Sequence, residues 1–442
     1  MKSLKIRLSV MNFLEFAVWG SYLTSLGNFL ARNGLQEQIG WFYTVQGIVS
    51  LIMPSLIGII ADRWIQAQRM LSLSHLLAGS AMLAAGIYCA VSSPDISFGP
   101  LFALYTISVA FFMPTIGLAN SVAFNALTKA GMDTIKDFPP IRIWGTIGFI
   151  CAMLLVNFAG PAESHFQTTY MQLFVSAAFS FILVFYALTM PKCPVSKVAK
   201  GSSLVDTLGL RAFRLFKDKK MAIFFIFSML LGMSLQITNG YANPYITSFA
   251  HIDAFKDAWA AQNANALISL SQISETLCIL LIPVCLKRFG IKGVMLMSMF
   301  AWVFRFGFFG FGDPASGLWM FVLSCIVYGI AFDFFNVSGG LYVDKMTTPD
   351  IRSSAQGLFM IMTNGLGATI GTLGAMVIVN HFVIPDATPE QQLEGWRTCW
   401  YVFAGYALVV GVLFFFLFHD KKGSDKESKR EVTAVEDNMV EV

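Results

Sequence analysis

Long apolar segments alternate with short polar ones along almost the whole chain. A helix of about 20 apolar residues can cross a hydrocarbon core about 30 Å thick. Twelve segments meet this requirement, and they run over residues 8–31, 39–61, 70–92, 98–124, 138–160, 168–190, 221–248, 262–286, 293–312, 317–342, 353–381 and 398–419. The pattern therefore predicts an all-α membrane protein with twelve transmembrane helices, which we call spans one to twelve.

The connection between spans six and seven differs from the others because it is long, polar and basic. It divides the chain into four predicted parts. These are an N-terminal six-helix bundle over 1–190, a cytoplasmic central loop over 191–220, a C-terminal six-helix bundle over 221–419 and a disordered cytoplasmic tail over 420–442. Spans five and eleven open with the related stretches "IRIWGTIG" and "IRSSAQGLF". Such similarity is typical of transporters built from two pseudo-symmetric bundles around a central cavity.

The positively charged residues lie almost entirely on one side of the predicted membrane. Of the 30 lysine and arginine residues, Arg142 and Arg305 fall inside spans, and the outer segments hold only Arg32, Lys256 and Arg397. Cytoplasmic loops of membrane proteins are enriched in lysine and arginine. The asymmetry therefore predicts that both termini are cytoplasmic.

Composition supports a membrane protein and argues against catalysis. The chain is 56% hydrophobic and 13% charged, whereas a soluble domain carries about 25% charged residues. It contains no HExxH, G-x-S-x-G or Walker-type sequence, so we expect neither an enzyme nor an ATP-driven pump. The seven cysteines are scattered without a C-x-x-C pair, so we expect neither a metal site nor a disulfide.

Five ionisable side chains fall inside the predicted spans: Glu15, Arg142, Glu275, Arg305 and Asp333. Charges there are costly, and they usually face a cavity or each other. Three acids and two bases nearly balance, which favours mutual pairing. For Glu275 and Asp333 we favour a functional role, because a purely structural role is a poor reason to bury a charge. Arg305 remains open between a functional role and a tie between helices.

Polar and aromatic residues accompany these charges at helical spacing, which places the members of each group on one side of a helix. The groups are Arg142, Thr146 and Phe149 in span five; Gln236 and Asn239 in span seven; Gln272 and Glu275 in span eight; and Tyr328, Phe332 and Asn336, with Asp333 beside them, in span ten. Carboxamides match the edge of a heterocycle, carboxylates and guanidinium groups bind hydroxyls, and aromatic rings stack on flat rings. A neutral ligand with a sugar and a planar base would use all three. Hydrogen bonding between helices and ordinary packing remain the alternatives for each residue.

Four stretches in these spans carry a resemblance to a known family: "DFPPIRIWGTIGFI", "QITNG", "SQISETL" and "VYGIAFDFFNVSG". The sequence resembles the nucleoside:proton symporters, the bacterial nucleoside permeases of the major facilitator superfamily, over nearly its whole length. The resemblance implies two six-helix bundles in the bacterial inner membrane with the substrate bound between them. It also implies that the substrate-binding residues are Arg142, Thr146, Phe149, Gln236, Asn239, Gln272, Glu275, Tyr328, Phe332 and Asp333.

The resemblance implies import of purine or pyrimidine nucleosides with protons by alternating access. The proton gradient drives such transport, so no cofactor is expected. The expected partners are the nucleoside, protons and the lipid bilayer, without nucleic acid, and we expect a monomer. A sugar or oligosaccharide:proton symporter is the alternative, because "WGTIG" in span five also resembles the oligosaccharide symporters. A sensor that binds its ligand without transporting it is a further alternative.

Proton coupling is expected to depend on Asp333 and Glu275. We favour Asp333, which lies between two phenylalanines, as the proton site, and Glu275 as a ligand of ribose hydroxyls. The reverse assignment and joint titration of the pair remain open. Glu15 departs from the best-known members of the family, which carry glutamine there, and so adds a candidate titratable site. His75 is interpreted as a packed, neutral histidine rather than a proton relay.

Overall fold

The structure of the protein, a computed structural model, describes residues 2–161, 164–193, 210–347 and 352–418. All regular elements in these ranges are helices. The main α-helices are Lys2–Gly20, Leu26–Arg32, Ile39–Arg63, Ala67–Ser92, Phe98–Lys129, Thr134–Phe158, Met171–Leu188, Lys219–Ser248, Ala264–Ile279, Ile282–Phe311, Leu318–Met346, Arg352–Met360, Ala368–Phe382 and Pro389–Leu417. Short helical segments lie at Gln36–Gln38, Phe166–Thr168, Leu210–Lys217, Phe249–His251, Trp259–Gln262 and Ile361–Gly367.

Ten of the described helices are long and apolar enough to cross a membrane. They correspond to the predicted spans two to seven and nine to twelve. Spans one and eight are also helical, but each is interrupted. The arrangement agrees with the predicted all-α membrane architecture.

Span one is interrupted between Gly20 and Leu26. At the start of this turn, the hydroxyl of Ser21 donates a hydrogen bond to the carbonyl oxygen of Ala17 at 2.7 Å. Such bonds from serine to the backbone compete with regular helix geometry and often accompany a bend. The second part of the span, Leu26–Arg32, packs against span seven.

Span eight is interrupted after Ile279 and resumes at Ile282. Pro283 follows at once, at a helix start where its missing N–H group costs no hydrogen bond. The helix Ile282–Phe311 then contains a kink at Gly290, whose φ of 69° is a conformation that glycine adopts without strain. Gly290 therefore separates the end of span eight from the start of span nine.

The helices pack mainly within two groups, spans one to six and spans seven to twelve. The groups meet where span two packs on span eleven, span five on span eight, and the outer part of span one on span seven. The predicted domain boundaries remain predictions. Most of the central loop, 194–209, and the whole predicted tail, 420–442, lie outside the described residues.

Hydrogen bonds join the two groups at the end of the bundle that the charge distribution assigns to the outer side. Thr24 Oγ1 donates to Asn265 Oδ1, and Asn157 Nδ2 donates to Asn263 Oδ1, each at 2.8 Å. Asn243 Nδ2 donates to the same oxygen of Asn265 at 2.8 Å. We call these five residues the outer amide cluster. Because Thr24, Asn157 and Asn265 are buried, the cluster closes this end of the bundle.

Two glycines allow close packing of the helices that carry the predicted site. Gly148 of span five lies directly against the backbone of Phe13 in span one, so that a Cβ atom there would overlap it. A Cβ atom on Gly329 of span ten would lie 2.6 Å from the carbonyl oxygen of Ser274 in span eight. Small residues permit such approach between membrane helices. Spans one and five, and spans eight and ten, therefore act as two closely packed pairs.

Candidate substrate and proton site

One wall of the predicted site is the face of span five that carries Arg142, Thr146 and Phe149. Span one supports this wall from behind. The Arg142 guanidinium carbon lies 3.9 Å from the centre of the Phe16 ring, and the rings of Trp19 and Phe149 meet edge to face at 6.2 Å. Arg142 and Thr146 are half-buried, whereas Phe149 is buried. The wall thus combines one cation, one hydroxyl and an aromatic surface.

Arg142 links the two halves of the molecule electrostatically. Its guanidinium interacts with the carboxylate of Glu275 in span eight and with that of Glu15 in span one. Glu275 is half-buried on the helix Ala264–Ile279, which packs against span five. The cation is therefore within electrostatic range of one acid of its own half and one acid of the other half.

Span ten, which packs against span eight, supplies a second aromatic surface. The rings of Tyr328 and Phe332 are stacked with their centres 5.9 Å apart and their planes 3° from parallel. Tyr328 is buried, and Phe332 is only half-buried. Residues four apart on a helix are neighbours on its surface. The stack therefore leaves part of the Phe332 ring available to a flat ligand.

Arg305 lies behind Tyr328 in this wall. Its guanidinium carbon is 4.3 Å from the centre of the Tyr328 ring. The same group donates hydrogen bonds to the carbonyl oxygen of Ser324 at 2.8 Å and to Ser271 Oγ at 3.3 Å, and Arg305 is 2% exposed. These partners belong to spans ten and eight. Of the two alternatives, the geometry favours a tie between helices that holds Tyr328 in place.

Asp333 is buried next to this stack, with 6% of its surface exposed. Its Oδ2 atom has no hydrogen-bond partner among the described residues. Asp333 and Glu275 are close enough to interact electrostatically, as expected from the contact between spans eight and ten. A buried polar atom without a partner loses the hydration it had in water. Asp333 is therefore poorly stabilised as a carboxylate in this conformation.

The three predicted carboxamides lie on spans seven and eight. Asn239 Nδ2 donates to Gln236 Oε1 at 2.7 Å, so these two side chains orient each other. Gln272 lies one helical turn from Glu275 and is half-buried, as are Gln236 and Asn239. The Gln236 amide nitrogen and the Asn239 carbonyl oxygen are not used in their mutual bond. They offer one donor and one acceptor at adjacent positions.

A family model described as "Nucleoside H+ symporter" matches residues 1–423. The chain belongs to this family. It is 44% identical over 434 residues to the xanthosine permease of Escherichia coli (strain K12), covering 98% of this chain and 100% of that protein. It is also 44% identical over 422 residues to the nucleoside permease NupG of the same organism, covering 95% and 97%. A crystal structure of the nucleoside transporter NupG matches with a TM-score of 0.84 at 44% identity, over 95% of this chain and 100% of that one.

Membership of the nucleoside H+ symporter family confirms several predictions from the sequence. The protein has the major facilitator fold, is a multi-pass membrane protein and is a transporter rather than an enzyme. Family membership does not assign individual side chains. The substrate-binding and proton-coupling residues therefore stay predictions. Of the helices that carry them, span eight packs against spans five, seven and ten.

The structure shows two features near the site that the sequence analysis did not include among the site residues. Trp19 contacts both Phe149 and Phe112, and its Nε1 donates to Gln46 Oε1 at 3.3 Å. Its position one helical turn after Glu15 was an available signal. The second feature is the hydrogen bond between Glu15 and His75. No sequence pattern indicates that pair, because it joins spans one and three.

Proposed function

We propose that the protein imports nucleosides together with protons across the bacterial inner membrane, with both termini in the cytoplasm. Family membership supports this function. The observation that carries it is that Arg142 lies within electrostatic range of Glu15 in the first half and of Glu275 in the second. A charged link between halves that must move relative to each other suits a transporter whose substrate binds at their interface.

The surrounding groups suit the two parts of a nucleoside. Arg142 and Glu275 can bind ribose hydroxyls, since guanidinium groups donate and carboxylates accept hydrogen bonds. Gln236, Asn239 and Gln272 offer donors and acceptors to the edge of a base. Phe149 and Phe332 offer ring faces from spans five and ten.

We assign the coupled proton to Asp333. The carboxyl has an oxygen without a hydrogen-bond partner in the described part of the chain, and it lies near a second acid. A proton on Asp333 removes a buried charge and the repulsion between two carboxylates. We propose that Asp333 takes up its proton from the outer side and releases it to the cytoplasm, which requires that the stabilisation of its carboxylate changes between the outward- and inward-facing states.

Uptake into proteoliposomes tests this function. The purified protein is reconstituted and supplied with labelled uridine, adenosine, guanosine or xanthosine under an inward proton gradient. We expect accumulation above the external concentration that increases as the external pH falls, because the proton is a co-substrate. A protonophore should abolish accumulation and leave exchange of nucleoside for nucleoside.

Three outcomes would contradict the proposal. Accumulation that ignores the proton gradient would exclude proton coupling. Inhibition of uridine uptake by disaccharides, but not by other nucleosides, would favour the sugar alternative. Nucleoside binding without any flux would favour a sensor.

A further inference from the structure

A chain of hydrogen bonds in the first half of the molecule ends beside the predicted site. Tyr105 of span four and Gln46 of span two are each 1% exposed. Gln46 Nε2 donates a hydrogen bond to the Tyr105 hydroxyl at 2.8 Å, and Trp19 Nε1 of span one donates to Gln46 Oε1 at 3.3 Å. The chain therefore joins three helices and ends on the indole of Trp19, a residue outside the predicted substrate-binding set.

The indole N–H group determines which way the Gln46 amide points. An indole nitrogen only donates, so its partner must be the carbonyl oxygen of Gln46. The amide nitrogen is then directed at the Tyr105 hydroxyl, which accepts. An apolar side chain at position 46 would pack these helices without placing an amide in the protein interior. The structural consequence of the amide is that it holds Trp19 in one position.

The Trp19 ring also contacts two phenylalanines. Its centre lies 6.1 Å from that of Phe112 in span four, which is 2% exposed. It lies 6.2 Å from the centre of the Phe149 ring in span five, with the two planes 87° apart. This edge-to-face arrangement is one that aromatic pairs favour. Trp19 therefore connects the buried Phe112 with a ring of the predicted site.

The backbone next to Trp19 packs directly against Phe149. A Cβ atom on Gly20 would overlap the carbonyl oxygen of Phe149, so spans one and five approach closely at this point. Trp19 itself is half-buried, whereas Gln46, Phe112 and Phe149 are buried. Rotation of the Phe149 ring is thus limited by an indole that is fixed by its own hydrogen bond.

We propose that Trp19 is a positioning residue for the base of the nucleoside, acting through the orientation of the Phe149 ring. This role rests on the proposed function. A base stacks on an aromatic ring only when the two planes are suitably oriented. The two fused rings of a purine make more contacts with such a ring than the single ring of a pyrimidine does, and dispersion energy increases with the number of contacts. Trp19 therefore favours purine over pyrimidine nucleosides.

Substitutions at positions 19 and 46 test this role, with the Kd of guanosine and uridine measured by calorimetry in detergent. Trp19→Leu should raise the Kd of guanosine about two- to tenfold, the range expected for one aromatic pair, and that of uridine less. Trp19→Phe keeps a ring, and Gln46→Leu keeps the indole, so each should raise it less than Trp19→Leu. Trp144→Leu makes the same substitution on an exposed part of span five and should leave both Kd values unchanged. Retained uridine binding reports that a variant is folded.

A double-mutant cycle determines whether Trp19 acts through Phe149. We expect the double variant Trp19→Leu/Phe149→Leu to bind guanosine about as weakly as Phe149→Leu alone, because the ring that Trp19 orients is already absent. Fold-losses that multiply in the double variant, or equal losses for guanosine and uridine in Trp19→Leu, would overturn the proposal. Because the cycle measures binding, nucleoside binding without proton-driven uptake would contradict the proposed function alone.

Discussion

Each half of the molecule buries an acid, and the two acids differ in how fully their carboxyl oxygens are hydrogen-bonded. Glu15 in the first half is completely buried, and both of its oxygens have hydrogen-bond partners, from His75 and Thr115. Asp333 in the second half is 6% exposed and has an oxygen without a partner in the described structure. Satisfied buried networks hold a group in one state, whereas a partly satisfied group is unstable in that state. Glu15 is therefore an acid with hydrogen-bond partners for both oxygens, whereas Asp333 retains an oxygen without a partner in the described structure and is less stable in its present state.

The largest effect is expected from Asp333→Asn, because the amide cannot release a proton. Accumulation of uridine driven by a proton gradient should be lost, while exchange of nucleoside for nucleoside continues. Uptake and counterflow in the same proteoliposomes measure the two activities. If the variant still concentrates uridine, Asp333 is not the coupled proton site. The difference in hydrogen bonding between Asp333 and Glu15 would then not explain proton coupling.

The next effect is expected from Glu275→Gln, which removes the charge that Arg142 meets across the interface. A hydrogen bond to a charged group contributes about 1.5–3 kcal/mol, so nucleoside affinity should fall more than about tenfold. Isothermal titration calorimetry in detergent measures the Kd. Asp253→Asn, which neutralises an exposed acid of the outer loop, serves as the control for the loss of one negative charge. Unchanged affinity would remove Glu275 from the binding site.

A smaller effect is expected from Gln272→Ala. One hydrogen bond to a neutral base contributes about 1 kcal/mol, so the Kd should rise about five- to tenfold. Gln392→Ala provides a matched control, because Gln392 is also a half-buried glutamine but bonds carbonyl oxygens of an outer loop. Equal Kd values for both variants would show that the base is read elsewhere.

The smallest effect on transport is expected from Thr115→Val, which removes one partner of Glu15. An oxygen left unsatisfied in the protein interior costs about 1–3 kcal/mol of stability. We expect a lower unfolding temperature but continued accumulation of nucleoside at neutral pH. Ser176→Ala, which removes a hydroxyl bonded to the carbonyl oxygen of Val18, should cost less stability. Loss of accumulation in Thr115→Val would place Glu15 in the coupling step itself.

Much of the architecture follows from the sequence because membrane helices are specified locally. Continuous apolar stretches located the spans, and ten of the described helices reproduce them by length and hydropathy. The helical period placed Arg142 with Phe149, and Tyr328 with Phe332, on shared faces. The interruptions after Gly20 and Ile279 were not predicted, since hydropathy does not register a short change of backbone direction within an apolar run.

The roles of the charged residues depend on contacts that sequence spacing cannot supply. Composition showed that acids and bases in the spans nearly balance, but it did not show which of them meet. The tertiary structure pairs Glu15 with His75, brings Arg142 within electrostatic range of two acids and gives Arg305 partners in neighbouring helices. Each of these contacts joins different spans.

The sequence by itself determined that this chain crosses a membrane repeatedly, and which few side chains are costly to bury there. Both properties depend on the transfer of short segments and single groups from water to lipid, which is a local quantity. Only the tertiary structure decided which of those groups are satisfied. Hydrogen bonding and charge pairing depend on where distant helices meet, and this difference distinguishes Glu15 from Asp333.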